Sequence, residues 1–136
     1  MSLNAYAKQY RQTAVTSAVI DADPHRLVSL MFAGARERMQ LAAACIDAGN
    51  TARKGQAITE ASAIVGHLDG SLNMEAGGEI AQNLSALYDY VQRRLLEANV
   101  GNDTQALREC DGLLADIESA WNAIAPDRLA AGGAAA

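Results

Sequence analysis

Apolar side chains recur along most of this chain at spacings of three and four residues, the period of an α-helix buried on one side. The first such helix starts at Asp23-Pro24, where aspartate can cap the helix and proline suits its first position, and it ends at Gly49-Asn50. The pattern predicts three more helices, at about residues 51–73, 78–99 and 102–126.

The apolar positions of these helices form lines that would face a common core. In the fourth helix the steps of three and four alternate, as in a bundle seam: Leu107, Cys110, Leu114, Ile117, Trp121, Ile124. In the third helix the inward set is Ile80, Leu84, Leu87, Tyr88, Val91, Leu95. Short connections make sequence neighbours antiparallel. We therefore predict an all-α fold, an antiparallel up-down four-helix bundle over residues 23–125.

Two segments lie outside the predicted bundle. In residues 1–22, Leu3, Tyr6 and Tyr10 share one helical face, but a helix this short is not stable alone in water. We expect a mobile amphipathic segment that docks on the bundle or leaves it. Residues 126–136 end in the low-complexity stretch LAAGGAAA, which predicts a flexible tail.

Composition and charge narrow the class of protein. Half of the 136 residues are apolar but only 4% are aromatic, so the core must consist of leucine, isoleucine, valine and alanine. The formal net charge is −5 with scattered basic residues, which argues against nucleic acid and anionic membranes as partners. No apolar run is long enough to cross a bilayer, and no signal pattern opens the chain. We expect a cytosolic protein without membrane insertion.

The residues that carry chemistry form no recognisable catalytic or metal site. A di-metal site in a helical bundle needs Glu-x-x-His on two helices, but Ala22 and Ile64 stand three residues before His25 and His67. Glycine loops for phosphate and the serine nucleophile elbow are also absent. Cys45 and Cys110 occupy apolar helical positions, as buried free thiols do. We expect no enzyme, no metal and no cofactor.

One alternative function uses His67. The stretch GHLDGS at residues 66–71 superficially resembles the His-containing phosphotransfer domains, which are also four-helix bundles. That family has lysine three residues after the active histidine, whereas Gly70 stands there in this chain, and Asp69 would repel a phosphate. A solvent-exposed histidine without a chemical role is the favoured interpretation.

The chain carries more apolar surface than a bundle needs. The first helix is apolar over more of its circumference than one packing partner requires. In the third helix Tyr88 and Tyr90 diverge by roughly 160°, so they cannot share a face. Tyr90 lies on a line with Asn83 and Leu87, towards a groove beside a neighbouring helix. Tyr90 is therefore either a partly buried ring with a hydrated hydroxyl, or part of a groove for an amphipathic helix from another protein.

The chain resembles the flagellar secretion chaperones of the FliS type over about residues 6–124. The resemblance is carried by SLNME at 71–75, GGEIAQNL at 77–84 and LYDY at 87–90, with Leu95 and Ala98-Asn99 following. Further matches are Tyr10, Asp23-Pro24 with Leu27, and Leu113-Leu114 with Trp121. At LMFAGA, residues 30–35, the family usually reads Leu-Tyr-Asp-Gly-Ala. Phe32 therefore retains the packing role of the ring but not its hydroxyl.

The resemblance implies a binding protein without catalysis. Such a chaperone binds the disordered C-terminal region of flagellin, prevents its premature polymerisation and delivers it to the flagellar type III export apparatus. An exposed groove of this kind would also let two client-free copies pair as a homodimer. From the surplus apolar surface and the family pattern, the candidate client-binding residues are Tyr10, Leu27, Leu30, Phe32, Asn83, Leu84, Leu87, Tyr88 and Tyr90. Leu27 and Leu84 fit a core position equally well.

Overall fold

A computed structural model describes residues 23–124, and these residues form four helices and no strand. The helices are α1 (Pro24–Ala48), α2 (Thr51–Gly70), α3 (Met74–Gly101) and α4 (Thr104–Ala123). The predicted all-α class and the four helices are confirmed. The segments predicted at residues 1–22 and 126–136 lie outside the described residues.

Each helix begins at a side chain that caps it. In each case a side-chain oxygen accepts a hydrogen bond from the backbone N–H three residues later, at distances of 2.9 to 3.2 Å. The four caps are Asp23, Asn50, Asn73 and Asp103. These bonds satisfy N–H groups that have no partner inside the helix. Because the caps follow closely on the preceding helix ends, the connections are only two or three residues long.

The start of α3 differs from the sequence prediction. The sequence predicts that this helix starts at about Gly78, but Asn73 caps a turn that begins at Met74. Gly78 then interrupts this helix with a non-helical backbone conformation, φ 52° and ψ −125°. Gly78 therefore marks a break inside α3, because Asn73 caps an additional turn before it.

The four helices pack in a ring, in which α1 and α3 each contact both α2 and α4. Contacts between α1 and α4 run in opposite order along the two helices: His25 meets Trp121, and further along α1 the Arg36 side chain meets Glu118 and Asp111. Between α2 and α3, Lys54 contacts Asn99 and Ser62 contacts Gln92, again in opposite order. This is the order found between antiparallel helices.

The core combines small and large apolar side chains. Six fully buried alanines let the helix backbones approach closely: Ala35, Ala42, Ala57, Ala61, Ala98, Ala106. Phe32, Met39, Leu95 and Leu114 fill the remaining space. Cys45 and Cys110 are buried free thiols, as predicted, and burial raises the pKa of Cys110 to about 12.

The predicted inward set is wrong at the ends of two helices. Ile80 is 72% exposed and Ile124 is also exposed, although both continue the apolar line of their helix. Both lie at the end of the bundle where α1 and α3 start and α2 and α4 finish. The periodicity of a helix identifies its inner face, but it does not show where the partner helices stop.

A buried lysine joins the start of α2 to the end of α3. The Lys54 ammonium donates to the Asn99 carbonyl at 2.8 Å and to the Asn102 side-chain oxygen at 2.6 Å. A cation at this position interacts favourably with the negative, C-terminal end of the α3 dipole. It also satisfies a carbonyl that has no partner inside the helix.

We therefore expect Lys54→Met, which keeps the length of the side chain, to lower the free energy of unfolding by about 2 kcal/mol. Denaturant unfolding followed by circular dichroism measures this change. The control Arg108→Met alters an exposed side chain of α4 and should change the free energy by less than about 0.5 kcal/mol. Equal stability of the two variants would contradict a structural role for the Lys54 hydrogen bonds.

Candidate functional site

An apolar groove of about 770 Å³ lies at the end of the bundle where α1 and α3 start. All four helices contribute to its lining. Its principal apolar walls are Leu27, Val28, Met31 and Phe32 from α1, Leu68 from α2, Leu72 just after it, Leu84 and Tyr88 from α3, and Ile117 and Trp121 from α4. Since most of these side chains are only partly buried, water contacts an apolar surface at this end.

The groove has a buried floor and exposed walls. Phe32 and Leu68 are almost fully buried and belong to the main core. Leu84 is half-buried and packs against that core, while Leu27 is 40% exposed. The sequence did not show whether Leu27 and Leu84 belong to the core or to the groove. In the structure Leu84 both supports the core and lines the groove, whereas Leu27 belongs to the exposed wall.

A reciprocal contact between His25 and Trp121 closes one side of the groove. The His25 ring nitrogen Nε2 lies 2.8 Å from the Trp121 carbonyl oxygen, and Trp121 Nε1 donates to the His25 carbonyl at 3.0 Å. The two rings are stacked, with centroids 4.7 Å apart and an interplanar angle of 11°. One turn further along α1, the Ser29 hydroxyl donates to the side-chain oxygen of Asn122. These contacts fix the first turn of α1 against the last turn of α4.

Sequence reasoning did not identify His25 as part of the site. It considered this histidine only as a metal ligand, and the partner, Trp121, was assigned to the helix seam. The two residues are 96 positions apart. Only the pairing of helix ends brings them together, and the apolar periodicity of each helix does not show which ends lie side by side.

The groove brings together four of the nine predicted site residues: Leu27, Phe32, Leu84 and Tyr88. Leu30 lies beside it, in a shallower depression of about 400 Å³ that Ala33, His25 and Asn122 also line. Asn83, Leu87 and Tyr90 do not line the groove and follow a separate line along α3. Tyr10 lies outside the described residues.

The two tyrosines of α3 occupy different environments. Tyr88 is 3% exposed and belongs to the core as predicted, and burial raises the pKa of its phenol to about 12. Tyr90 is half-buried, and its hydroxyl donates to Glu109 Oε1 of α4 at 2.7 Å. Arg94 Nε donates to the same oxygen at 2.8 Å. These two hydrogen bonds, from Tyr90 first and Arg94 second, lower the pKa of Glu109.

Exposed large apolar side chains concentrate around the groove. Within the described residues, five of seven lie at this end of the bundle: Leu27, Leu30, Met74, Ile80 and Ile124. The other two, Leu96 and Val100, lie together near the opposite end of α3. Clustered exposed apolar surface is typical of a site that binds another protein.

The described residues contain no arrangement suited to metal binding. No group of three or more histidine, cysteine, aspartate and glutamate side chains is placed to hold a metal ion among residues 23–124. His67 is exposed in the last turn of α2 and does not line the groove. None of the four helices combines the length and the apolar character needed to span a bilayer.

Comparison with known proteins decides between the two functions that the sequence left open. The family model described as "Flagellar protein FliS" matches residues 2–128. The chain belongs to the FliS family. It is 46% identical to the flagellar secretion chaperone FliS of Salmonella typhimurium over 120 residues, which cover 88% of this chain and 89% of the relative.

Two further FliS relatives show the breadth of the family. Identity is 42% to the flagellar secretion chaperone FliSB of Pseudomonas aeruginosa, over 86% of this chain and 93% of the relative. It is 33% to the flagellar secretion chaperone FliS of Bacillus subtilis, over 82% of this chain and 80% of the relative. The resemblance predicted from the sequence is confirmed. Because FliS proteins are chaperones and not enzymes, the phosphotransfer alternative at His67 is set aside.

The buried phenol of Tyr88 predicts a loss of stability in alkaline solution. Its pKa lies near 10 in the unfolded chain and about 12 in the folded protein. Because the pKa is higher in the folded protein, the stabilisation that comes from the protonated Tyr88 phenol is fully present below pH 10 and is lost as the pH rises towards 12. Cys110, whose pKa is raised from 9.0 to about 12, adds a similar loss from pH 9 upwards.

Replacing Tyr88 by phenylalanine should remove the tyrosine part of this loss. Between pH 10 and 12 we expect the free energy of unfolding of Tyr88→Phe to fall less steeply with pH than that of the wild type. The difference between the two slopes corresponds to at most about one proton released on unfolding. Denaturant titrations at a series of pH values measure both slopes. Parallel slopes above pH 10 would show that the phenol is not buried in the folded state.

Proposed function

We propose that this protein is a cytosolic export chaperone that binds the disordered C-terminal region of flagellin and delivers it to the flagellar export apparatus. The observation that carries this proposal is the apolar groove at one end of the bundle, in a chain whose relatives are named flagellar secretion chaperones. By covering the apolar face of the client, the chaperone prevents premature polymerisation in the cytosol.

The shape of the groove favours an amphipathic helix as the occupant. A helix presents apolar side chains at spacings of three and four residues, and a groove between helices accepts them as a further packing layer. Charged side chains are nearly absent from the lining, where Asp23 and His25 are the only ionisable residues apart from Tyr88. Asp23 already accepts the capping bond from Arg26. The chemistry of the groove therefore selects an apolar stripe.

Binding of this kind is compatible with release. Apolar burial supplies roughly 25 cal/mol per Å². Ordering a disordered client as a helix consumes about 2–5 kcal/mol of that gain. The net affinity is therefore moderate, as a chaperone that hands its client to an export apparatus requires.

The nine candidate residues divide into a groove and an extension. Leu27 and Leu84 contact the client in the groove, while Phe32 and Tyr88 form its supporting floor. Leu30 extends this surface along α1. Asn83, Leu87 and Tyr90, spaced by four and three residues, extend it along the face of α3 nearest Glu109. Tyr10 adds a contact from the N-terminal segment.

A wall residue of the groove provides the first test. We expect Leu27→Ser to raise the Kd for monomeric flagellin about tenfold, because it removes apolar contact area from the complex. The thermal midpoint should change little, since Leu27 is already 40% exposed in the free protein. The matched control is Leu96→Ser, which changes a leucine that is 64% exposed on α3 and distant from the groove.

Isothermal titration calorimetry gives the Kd, and light scattering on a sizing column gives the stoichiometry. We expect a one-to-one complex, and a client-free dimer that dissociates when flagellin fills the groove. The proposal fails if Leu27→Ser binds flagellin as tightly as the wild type, or if Leu96→Ser weakens binding equally.

A further inference from the structure

Gly78 forms a joint in the backbone of α3, six residues before Leu84, the first residue of this helix that lines the groove. Its φ of 52° and ψ of −125° match the first central residue of a type II′ turn, a conformation dominated by glycine. The neighbouring Gly77 is also required by packing, since a Cβ atom there would lie 2.7 Å from the Cβ of Ala81. Two adjacent positions thus need glycine, and both lie between a short first turn and the main body of α3.

The turn before this joint is held by local hydrogen bonds alone. Asn73 accepts from the Ala76 backbone N–H through its side chain at 3.0 Å, and from the Gly77 N–H through its carbonyl at 2.8 Å. Residues 73–77 are all exposed. By contrast, Leu72 and Leu84 on either side pack against the core. The turn itself is therefore not packed, although it joins two packed segments.

Apolar side chains on both sides of the joint are exposed at the edge of the groove. Met74 follows Asn73, which lines the groove, and Ile80 stands one helical turn before the lining residue Leu84. Ile80 is 72% exposed although it lies on the inner face of α3. In the free protein these two side chains contribute little apolar burial.

The chain segment that contains the joint is acidic. Between Lys54 and Arg93 the chain contains no lysine or arginine, whereas Glu75 and Glu79 flank the joint and are both exposed. An occupant of this end of the groove would therefore carry basic or amide side chains, rather than acidic ones, beside its apolar stripe.

We propose that residues 74–77 form a flap, joined to the rest of α3 at Gly78, that closes on the client helix and buries Met74 against it, beside the exposed side chain of Ile80. This inference rests on the proposed function, and the occupant is the same amphipathic helix of flagellin. Rotations at Asn73 and Gly78, the two non-helical positions on either side of the turn, move it while Leu72 and the helix from residue 79 onwards stay packed. Closure adds contacts after the client has entered, so the flap controls dissociation more than association.

The test uses the full chain with monomeric flagellin in surface plasmon resonance. Met74→Ser should dissociate from flagellin about tenfold faster than the wild type, with a similar association rate and an unchanged thermal midpoint, because Met74 is 47% exposed in the free protein. The matched control is Val100→Ser, which alters another exposed apolar side chain of α3 that is remote from the groove. It should leave both rates unchanged.

Hydrogen exchange provides a second measurement that does not depend on any variant. Backbone amides of residues 74–78 should exchange rapidly in the free protein and at least about tenfold more slowly in the flagellin complex. Unchanged dissociation of Met74→Ser, or unchanged exchange in the complex, overturns the flap alone. If the wild type does not bind flagellin, the proposed function fails and the flap fails with it.

Discussion

The structure depends on a mismatch between the apolar surface of four helices and the core that they can build together. In the middle of the bundle, buried alanines let the helices approach closely and large side chains fill the space between them. At the end where α1 and α3 start, the apolar lines continue but the core does not. The result is a groove whose walls are in contact with water.

Keeping such a groove open requires rigid walls, because exposed apolar surfaces tend to collapse onto each other. The stacked rings of His25 and Trp121, with their two reciprocal hydrogen bonds, fix the start of α1 to the end of α4. Further along the same pair of helices, Arg36 donates to both Asp111 and Glu118. Polar contacts between α1 and α4 thus hold the apolar wall in place, and a preformed wall would lower the cost of binding for the proposed client.

Local features of the fold could be predicted from the sequence because they depend on local chemistry. Asp23, Asn50 and Asp103 cap helices where the sequence places the starts, and Tyr88 is buried as its spacing requires. The helix start that the sequence predicts at about Gly78 is a break inside α3. Four of the predicted site residues line one groove.

Features that depend on the relative ends of the helices could not be predicted. Ile80 has the same periodic position as Leu84, yet only Leu84 packs against the core. Similarly, the pairing of His25 with Trp121 and of Tyr90 with Glu109 requires knowledge of which helix turns face each other. Helical periodicity gives the direction of a side chain around its own axis, but not its position along the bundle.

The central claim is that the groove receives a helix from another protein, and solution NMR of the methyl-labelled chain with monomeric flagellin tests it most directly. We expect intermolecular NOEs from the methyl groups of Leu27, Leu72 and Leu84 to apolar side chains in the C-terminal region of flagellin. The account would be contradicted if these methyl groups kept their free chemical shifts in a saturated complex while residues elsewhere on the bundle showed the contacts.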